Sequence, residues 1–175
     1  SIVNMAYMPK EMQEAKLNAD GFGLSWIYNN KFFTYKNQYP IWNDHNIYPI
    51  AENIHTRLSI GNVRSATENE NMGSQNTHPF QFKNFIFSHN GYISNFNKKN
   101  KLILLKELKG KFLKFLKGNT DSEYIFYLFI QCLEKNKEVH LAIKETVSIL
   151  KNISGKVLLN MIIGYKGPGN SVKLY

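Results

Sequence analysis

The side chains in this sequence that could do acid–base or nucleophilic chemistry are few. His78 and His89 could move protons near neutral pH, and Cys132 or Ser1 could attack a carbonyl. Arg64, Thr67, Asp121 and the pair Asn90-Gly91 add polar groups that could hold charged parts of a small molecule. Each has an ordinary reading beside the chemical one. An arginine at a strand end is usually a surface charge, an aspartate before an apolar run is usually a helix cap, and Asn-Gly on its own predicts a type I′ turn. Taken singly, none of them identifies a reaction.

The elements that must position these groups can be read from apolar spacing. Residues 24–27 and 32–35 flank Asn29-Asn30 and predict a β-hairpin, and 47–54 a short helix. Residues 58–63 and 85–88 are short apolar runs that read as buried strands. The polar clusters Arg64-Ser65-Ala66-Thr67 and His89-Asn90-Gly91 then fall at strand ends, where sites are commonly built. Residues 68–76, rich in Asn, Glu and Gly, predict an exposed loop able to cover a pocket. Asp20-Gly21 with Gly23 predicts a tight turn, with Asp20 structural. Thr120 or Asp121 would cap a helix running to about residue 134, and 139–150 reads as another helix. Residues 157–163 read as a buried strand, 164–169 as a turn, and 171–175 as a strand beginning with no partner in view.

Strands in the first half and helices in the second make the class α+β, or layered α/β. At 175 residues, 43% hydrophobic and 14% aromatic, the chain can bury one core and should form a single domain. Its longest apolar stretches, such as 124–130, are too short to span a bilayer, so no membrane partner is expected. Cys132 is the one cysteine in the sequence, which excludes an internal disulfide or a multi-cysteine zinc site within these residues. That fits a reducing compartment, and a cytoplasmic location is expected.

The formal net charge of +9 invites a nucleic-acid reading, so its distribution matters. Lys98, Lys99, Lys101, Lys106, Lys109, Lys111, Lys114 and Lys117 lie among Leu102, Leu105, Leu108, Phe112, Leu113, Phe115 and Leu116. That spacing predicts an amphipathic helix with a solvated lysine face. No arginine fork or aromatic stacking platform accompanies the run, so nucleic acid is not the expected partner.

The order of the polar clusters is more informative than any one of them. The strings NADGFGLSW (18–26), NVRSAT (62–67), NTHPF (76–80), SHNGYI (88–93), TDSE (120–123) and LLNMII (158–163) together resemble class II glutamine amidotransferases. The branch most similar contains γ-glutamyl hydrolases of ergothioneine synthesis and glutathione degradation. The resemblance implies a four-layer α/β/β/α N-terminal-nucleophile hydrolase fold with two mainly antiparallel sheets. It implies cleavage of glutamine or a γ-glutamyl amide to glutamate and ammonia or an amine, with a small-molecule substrate and no cofactor or metal. A synthase or acceptor subunit is a conceivable partner.

Residue by residue, Arg64 matches the family arginine that holds the substrate α-carboxylate, a task suited to a planar bidentate donor. Thr67 would add a contact to the same group. Asp121 matches the aspartate that receives the α-ammonium, at a helix start whose dipole favours its charge. Asn90 and Gly91 match the oxyanion hole, with one side-chain amide and one backbone N–H. In the family the α-amine of the nucleophile serves as base, so His78 and His89 read as scaffold. Phe22 stands where tryptophan is usual, a mild departure.

The family nucleophile is an N-terminal cysteine, and no residue here matches it. Ser1 stands too close to Asp20-Gly21 and aligns within the loop after the family's first strand, while Cys132 lies in a predicted helix and reads as a buried thiol. The expectation is a chain truncated at its N-terminus and, beyond Tyr175, at its C-terminus. Two other readings stay open: a catalytically dead relative that binds γ-glutamyl compounds or a partner, and, more distantly, a nucleic-acid binder through residues 98–117.

Overall fold

A computed structural model describes residues 1–9, 17–65 and 73–175. The chain forms two compact units, one of Ser1–Ser88 with Ile162–Tyr175 and the other of His89–Met161.

The first unit is built on a hairpin of β1 (Phe22–Tyr28) and β2 (Lys31–Asn37), in register from Phe22 opposite Asn37 to Tyr28 opposite Lys31. Its turn is Asn29-Asn30, with φ of 45° and 64°, the left-handed pair that a type I′ turn requires and asparagine tolerates. Strand β3 (Ser59–Val63) pairs antiparallel on the other side of β1, giving the order β2-β1-β3. Helices α1 (Ile2–Tyr7) and α2 (Ile47–Asn53) flank this sheet. Ser1 caps α1, its hydroxyl accepting from the Asn4 amide at 3.3 Å. Phe22, the departure from tryptophan, is buried with Ala6, Ile41 and Ile47, and Leu24, Tyr35 and Val63 pack around them. Phe32, Leu58, Ile60 and Ile86 form a second cluster. Asp44, buried at the foot of β2, accepts from Tyr35 Oη at 2.7 Å, Asn37 Nδ2 at 2.7 Å and the Asn46 amide at 2.9 Å. Burial pushes its carboxyl up, but those three donors outweigh it and hold the group below its ordinary value.

The second sheet has the order β4 (Phe80–Phe82), β5 (Phe85–Ile93), β6 (Val157–Lys166), β7 (Val172–Leu174). Three expectations are corrected here. Strand β5 does not stop at Ser88 but continues through His89-Asn90-Gly91 to Ile93, so those residues sit inside a strand and not in a turn. Strand β6 runs three residues past Ile163 and is half exposed, with Leu158 at 56% and Ile162 at 46%. The final segment has a partner after all: β7 pairs antiparallel with β6, Leu174 opposite Gly164, and Tyr175 exchanges two backbone hydrogen bonds with Ile163.

In the second unit the lysine-rich segment is not one helix. A π turn (Phe96–Asn100) leads into α3 (Lys101–Glu107), and extended backbone at Leu108 and Lys109 separates it from α4 (Gly110–Leu113). Leu108 is buried, as are Leu104 and Phe112. Most of the lysines are exposed as expected. Lys111 pairs with Glu134, and Lys114 lies 5.4 Å from the ring centre of Phe115. Helix α5 (Asp121–Asn136) is buried from Asp121 to Ile130. It packs along α6 (Val139–Ile153), where Ala142, Thr146 and Leu150 are buried. The fold is α+β with two antiparallel sheets, and among the described residues no helix is long and apolar enough to cross a membrane.

Candidate functional site

In the first unit Arg64 follows β3 directly and is 6% exposed. Its backbone is tied to the Asp20-Gly21 bend from both sides. The Arg64 amide donates to the Gly21 carbonyl at 2.9 Å, and the Asp20 amide donates to the Arg64 carbonyl at 3.0 Å. The guanidinium also reaches back, Nη1 donating to the Asp20 carbonyl at 3.4 Å. Gly21 adopts φ 109° and its α-carbon faces the Asn37 carbonyl, so the bend needs glycine. Gly23, expected in that turn, lies instead in β1, where a Cβ would meet the His78 carbonyl at 1.9 Å. Thr67 and residues 68–72 lie outside the described residues. The remainder of the expected loop is not exposed throughout: Ser74–Asn76 is a 3-10 turn and Asn76 is buried.

In the second unit Asn90 and Gly91 lie within β5, and Asp121 is bonded to the same strand at Ile93. Gly91 has φ 153°, and a Cβ there would lie 1.9 Å from the Leu158 carbonyl oxygen and 2.7 Å from His89 Nε2. Only glycine lets the backbone of β5 approach β6 this closely. Strand alternation turns His89 inward and leaves Asn90 exposed. Asp121 opens helix α5 and is 7% exposed. Its Oδ2 accepts the Ile93 amide at 2.8 Å, two residues beyond Gly91 on the same strand. Its Oδ1 accepts the Ser122 hydroxyl at 3.2 Å. The cap itself is Thr120, whose Oγ1 accepts the Glu123 amide at 3.4 Å, so Asp121 is not spent on capping. Glu123 holds the loop ahead of the helix, taking the Lys117 amide at 2.9 Å on one oxygen and the Gly118 amide at 2.8 Å on the other.

The expected scaffold histidines behave differently from one another. His78 precedes a cis peptide to Pro79 and packs edge-on against Phe80, 4.8 Å between ring centres. His89 is buried, with Nδ1 2.9 Å from Ser122 Oγ and Nε2 3.1 Å from the Leu158 carbonyl. Burial pushes the His89 ring below its ordinary value, against the nearby Asp121 charge and the Leu158 carbonyl, which both favour the charged form. Ser122 was not legible as a site residue; its only signal is its place in the TDSE string. Among the described residues no group of His, Cys, Asp and Glu is arranged to hold a metal ion.

Cys132 is buried on α5. Burial pushes its thiol up, with Glu145 acting the same way and Thr146 and Lys135 opposing. A thiol so held is a poor nucleophile. The Cys132→Ala variant should therefore leave any hydrolytic activity within about twofold of wild type, and native Cys132 should react with a thiol reagent at least ~100-fold more slowly than after unfolding.

The sequence pattern of the family described as Glutamine amidotransferases class-II matches residues 3–162. The chain is 34% identical over 143 residues to the Saccharomyces cerevisiae protein DUG3, described as a probable glutamine amidotransferase, covering 77% of this chain and 40% of the yeast protein. It is 25% identical over 88 residues to the gamma-glutamyl-hercynylcysteine sulfoxide hydrolase of Mycobacterium tuberculosis, covering 50% of this chain and 38% of that protein. The chain thus spans less than half the length of these two relatives. Among solved structures, a glutamine aminotransferase class-II domain protein of Silicibacter pomeroyi superposes with a TM-score of 0.64 at 25% identity, over 82% of this chain and 64% of the other.

Proposed function

The chain belongs to the class II glutamine amidotransferase family, and from that premise we propose that it carries the substrate-binding and oxyanion-stabilising part of a γ-glutamyl amide hydrolase. Glutamine or a γ-glutamyl amide would be cleaved to glutamate and ammonia or an amine, within one amidotransferase domain of four-layer α/β/β/α form. Arg64, with Thr67 beside it in sequence, takes the α-carboxylate. Asp121 takes the α-ammonium. The Gly91 amide and the Asn90 side chain stabilise the oxyanion that forms when the γ-carbonyl is attacked.

The observation that carries this reading is the bond from the Ile93 amide to Asp121 Oδ2. It fastens the carboxylate expected to bind the amino-acid end to the strand expected to bind the reacting carbonyl. A carboxylate that has two donors keeps lone pairs for a third. The relationship to the mycobacterial γ-glutamyl hydrolase favours a γ-glutamyl amide over a substrate lacking the amino-acid end.

The test is glutamate release by the full-length protein, offered glutamine and a panel of γ-glutamyl amides that includes γ-glutamylcysteinyl peptides. At least one should be cleaved. A protein that releases no glutamate from any of them, yet binds L-glutamate in calorimetry, is a binding relative without turnover. One that does neither removes the reading altogether.

A further inference from the structure

Nothing in the proposed reaction uses His89 or Ser122, yet both are buried polar side chains joined to Asp121 and to the strand of Gly91. Their hydrogens can be assigned by elimination. The Leu158 carbonyl can only accept, so His89 Nε2 carries a hydrogen. In the neutral ring Nδ1 is then an acceptor, and its neighbour at 2.9 Å is Ser122 Oγ. The Ser122 hydroxyl has one hydrogen and two acceptors within reach, His89 Nδ1 and Asp121 Oδ1. When the ring is protonated, Nδ1–H donates to Ser122, whose hydrogen then goes to Asp121 without competition. The Leu158 carbonyl that receives His89 is also the one pressed against Gly91. His89 is therefore bonded both to the serine beside Asp121 and to the carbonyl pressed against Gly91.

We propose that His89 and Ser122 are positioning residues for Asp121. With the ring protonated, the chain of hydrogen bonds from the Leu158 carbonyl through His89 and the Ser122 hydroxyl sets the plane of the carboxylate that meets a substrate α-ammonium. This rests on the reading that Asp121 binds that ammonium. The geometry supports it in a specific way. One carboxylate oxygen is held by Ile93 and the other by Ser122, so the two bonds together fix both the position and the rotation of the group. Removing the Ser122 hydroxyl takes away the bond to Oδ1 and leaves the Ile93 bond to Oδ2 in place. The charged group acting on the ring is Asp121, whose negative charge supports protonation of His89. An ammonium arriving at Asp121 would cancel that support.

The experiment compares L-glutamate with glutarate, which has the same chain without the α-ammonium, by calorimetry on the full-length protein. Ser122→Ala should weaken L-glutamate binding about five- to tenfold and leave glutarate within about twofold. Ser122→Thr, which keeps the hydroxyl, should restore the wild-type ratio. A merely structural serine would weaken both ligands alike, and that result, or an unchanged ratio in the alanine variant, overturns the inference. A second measurement needs no variant. The imidazole nitrogen resonances of His89 in the wild-type protein should show the titration midpoint falling by about half a pH unit with L-glutamate and staying in place with glutarate. Equal midpoints with both ligands overturn the inference alone, whereas no binding of L-glutamate by the wild type removes the reading of Asp121 and the inference with it.

Discussion

Replacing Gly91 with alanine is expected to lower the stability of the protein by about 3 kcal/mol or more, enough to shift a denaturation midpoint well outside error. Two costs add. The residue holds φ 153°, a conformation that L side chains rarely adopt, and the new methyl would sit 1.9 Å from the Leu158 carbonyl oxygen. Backbone cannot swing aside as a side chain can, so relief requires β5 and β6 to move apart at this point. That movement would also draw His89 Nε2 away from the same carbonyl. Urea titration followed by tryptophan fluorescence checks it. A variant within about 0.5 kcal/mol of wild type would mean that the two strands tolerate the separation. Gly110, by contrast, has open space around it and offers a control in which alanine should cost little.

Replacing Arg64 with lysine should lower kcat/KM for a γ-glutamyl substrate roughly 10- to 100-fold, with most of the change in KM. The estimate follows from losing a charge-assisted bidentate contact worth about 1.5–3 kcal/mol. Lysine keeps the charge but offers a point donor in place of a planar fork. The control is a substrate without the α-carboxylate, 4-aminobutanamide. If Arg64 holds that carboxylate, wild type and variant should handle the control alike, both poorly. An equal loss on both substrates would assign the effect to the Asp20 contact and the bend it supports.

What could be read in advance, and what could not, divides along a physical line. The hairpin at Asn29-Asn30 and the helix beginning at Asp121 were legible because their signals are local. Left-handed turn residues sit between two apolar runs in one case, and a threonine stands one residue ahead of an apolar helix in the other. Asn90-Gly91 carries the same local signal as a hairpin turn and yet lies inside a strand. The reason is 67 positions away in sequence, at the Leu158 carbonyl, and no local pattern contains it. The same holds for the segment ending at Tyr175, whose partner β6 was visible but whose pairing was not. The lysine-rich run misled for a different reason. Its apolar residues keep a helical period, and nothing in their spacing marks the extended backbone at Leu108 and Lys109. Of the candidate site, the residue types were carried by the order of the motifs. The link through Ser122 was not, because a serine in a helix is ordinary until a histidine from β5 is placed 2.9 Å away.

The carboxylate of Glu123 grips the loop before α5 by two main-chain amides, those of Lys117 and Gly118. Every amino acid but one supplies the same amide, so the chemistry of residues 117 and 118 is free to drift without loosening the grip. Proline is the exception, having no N–H to offer. A library randomised at these two positions should accept almost any pair without proline, while position 123 itself should tolerate almost nothing.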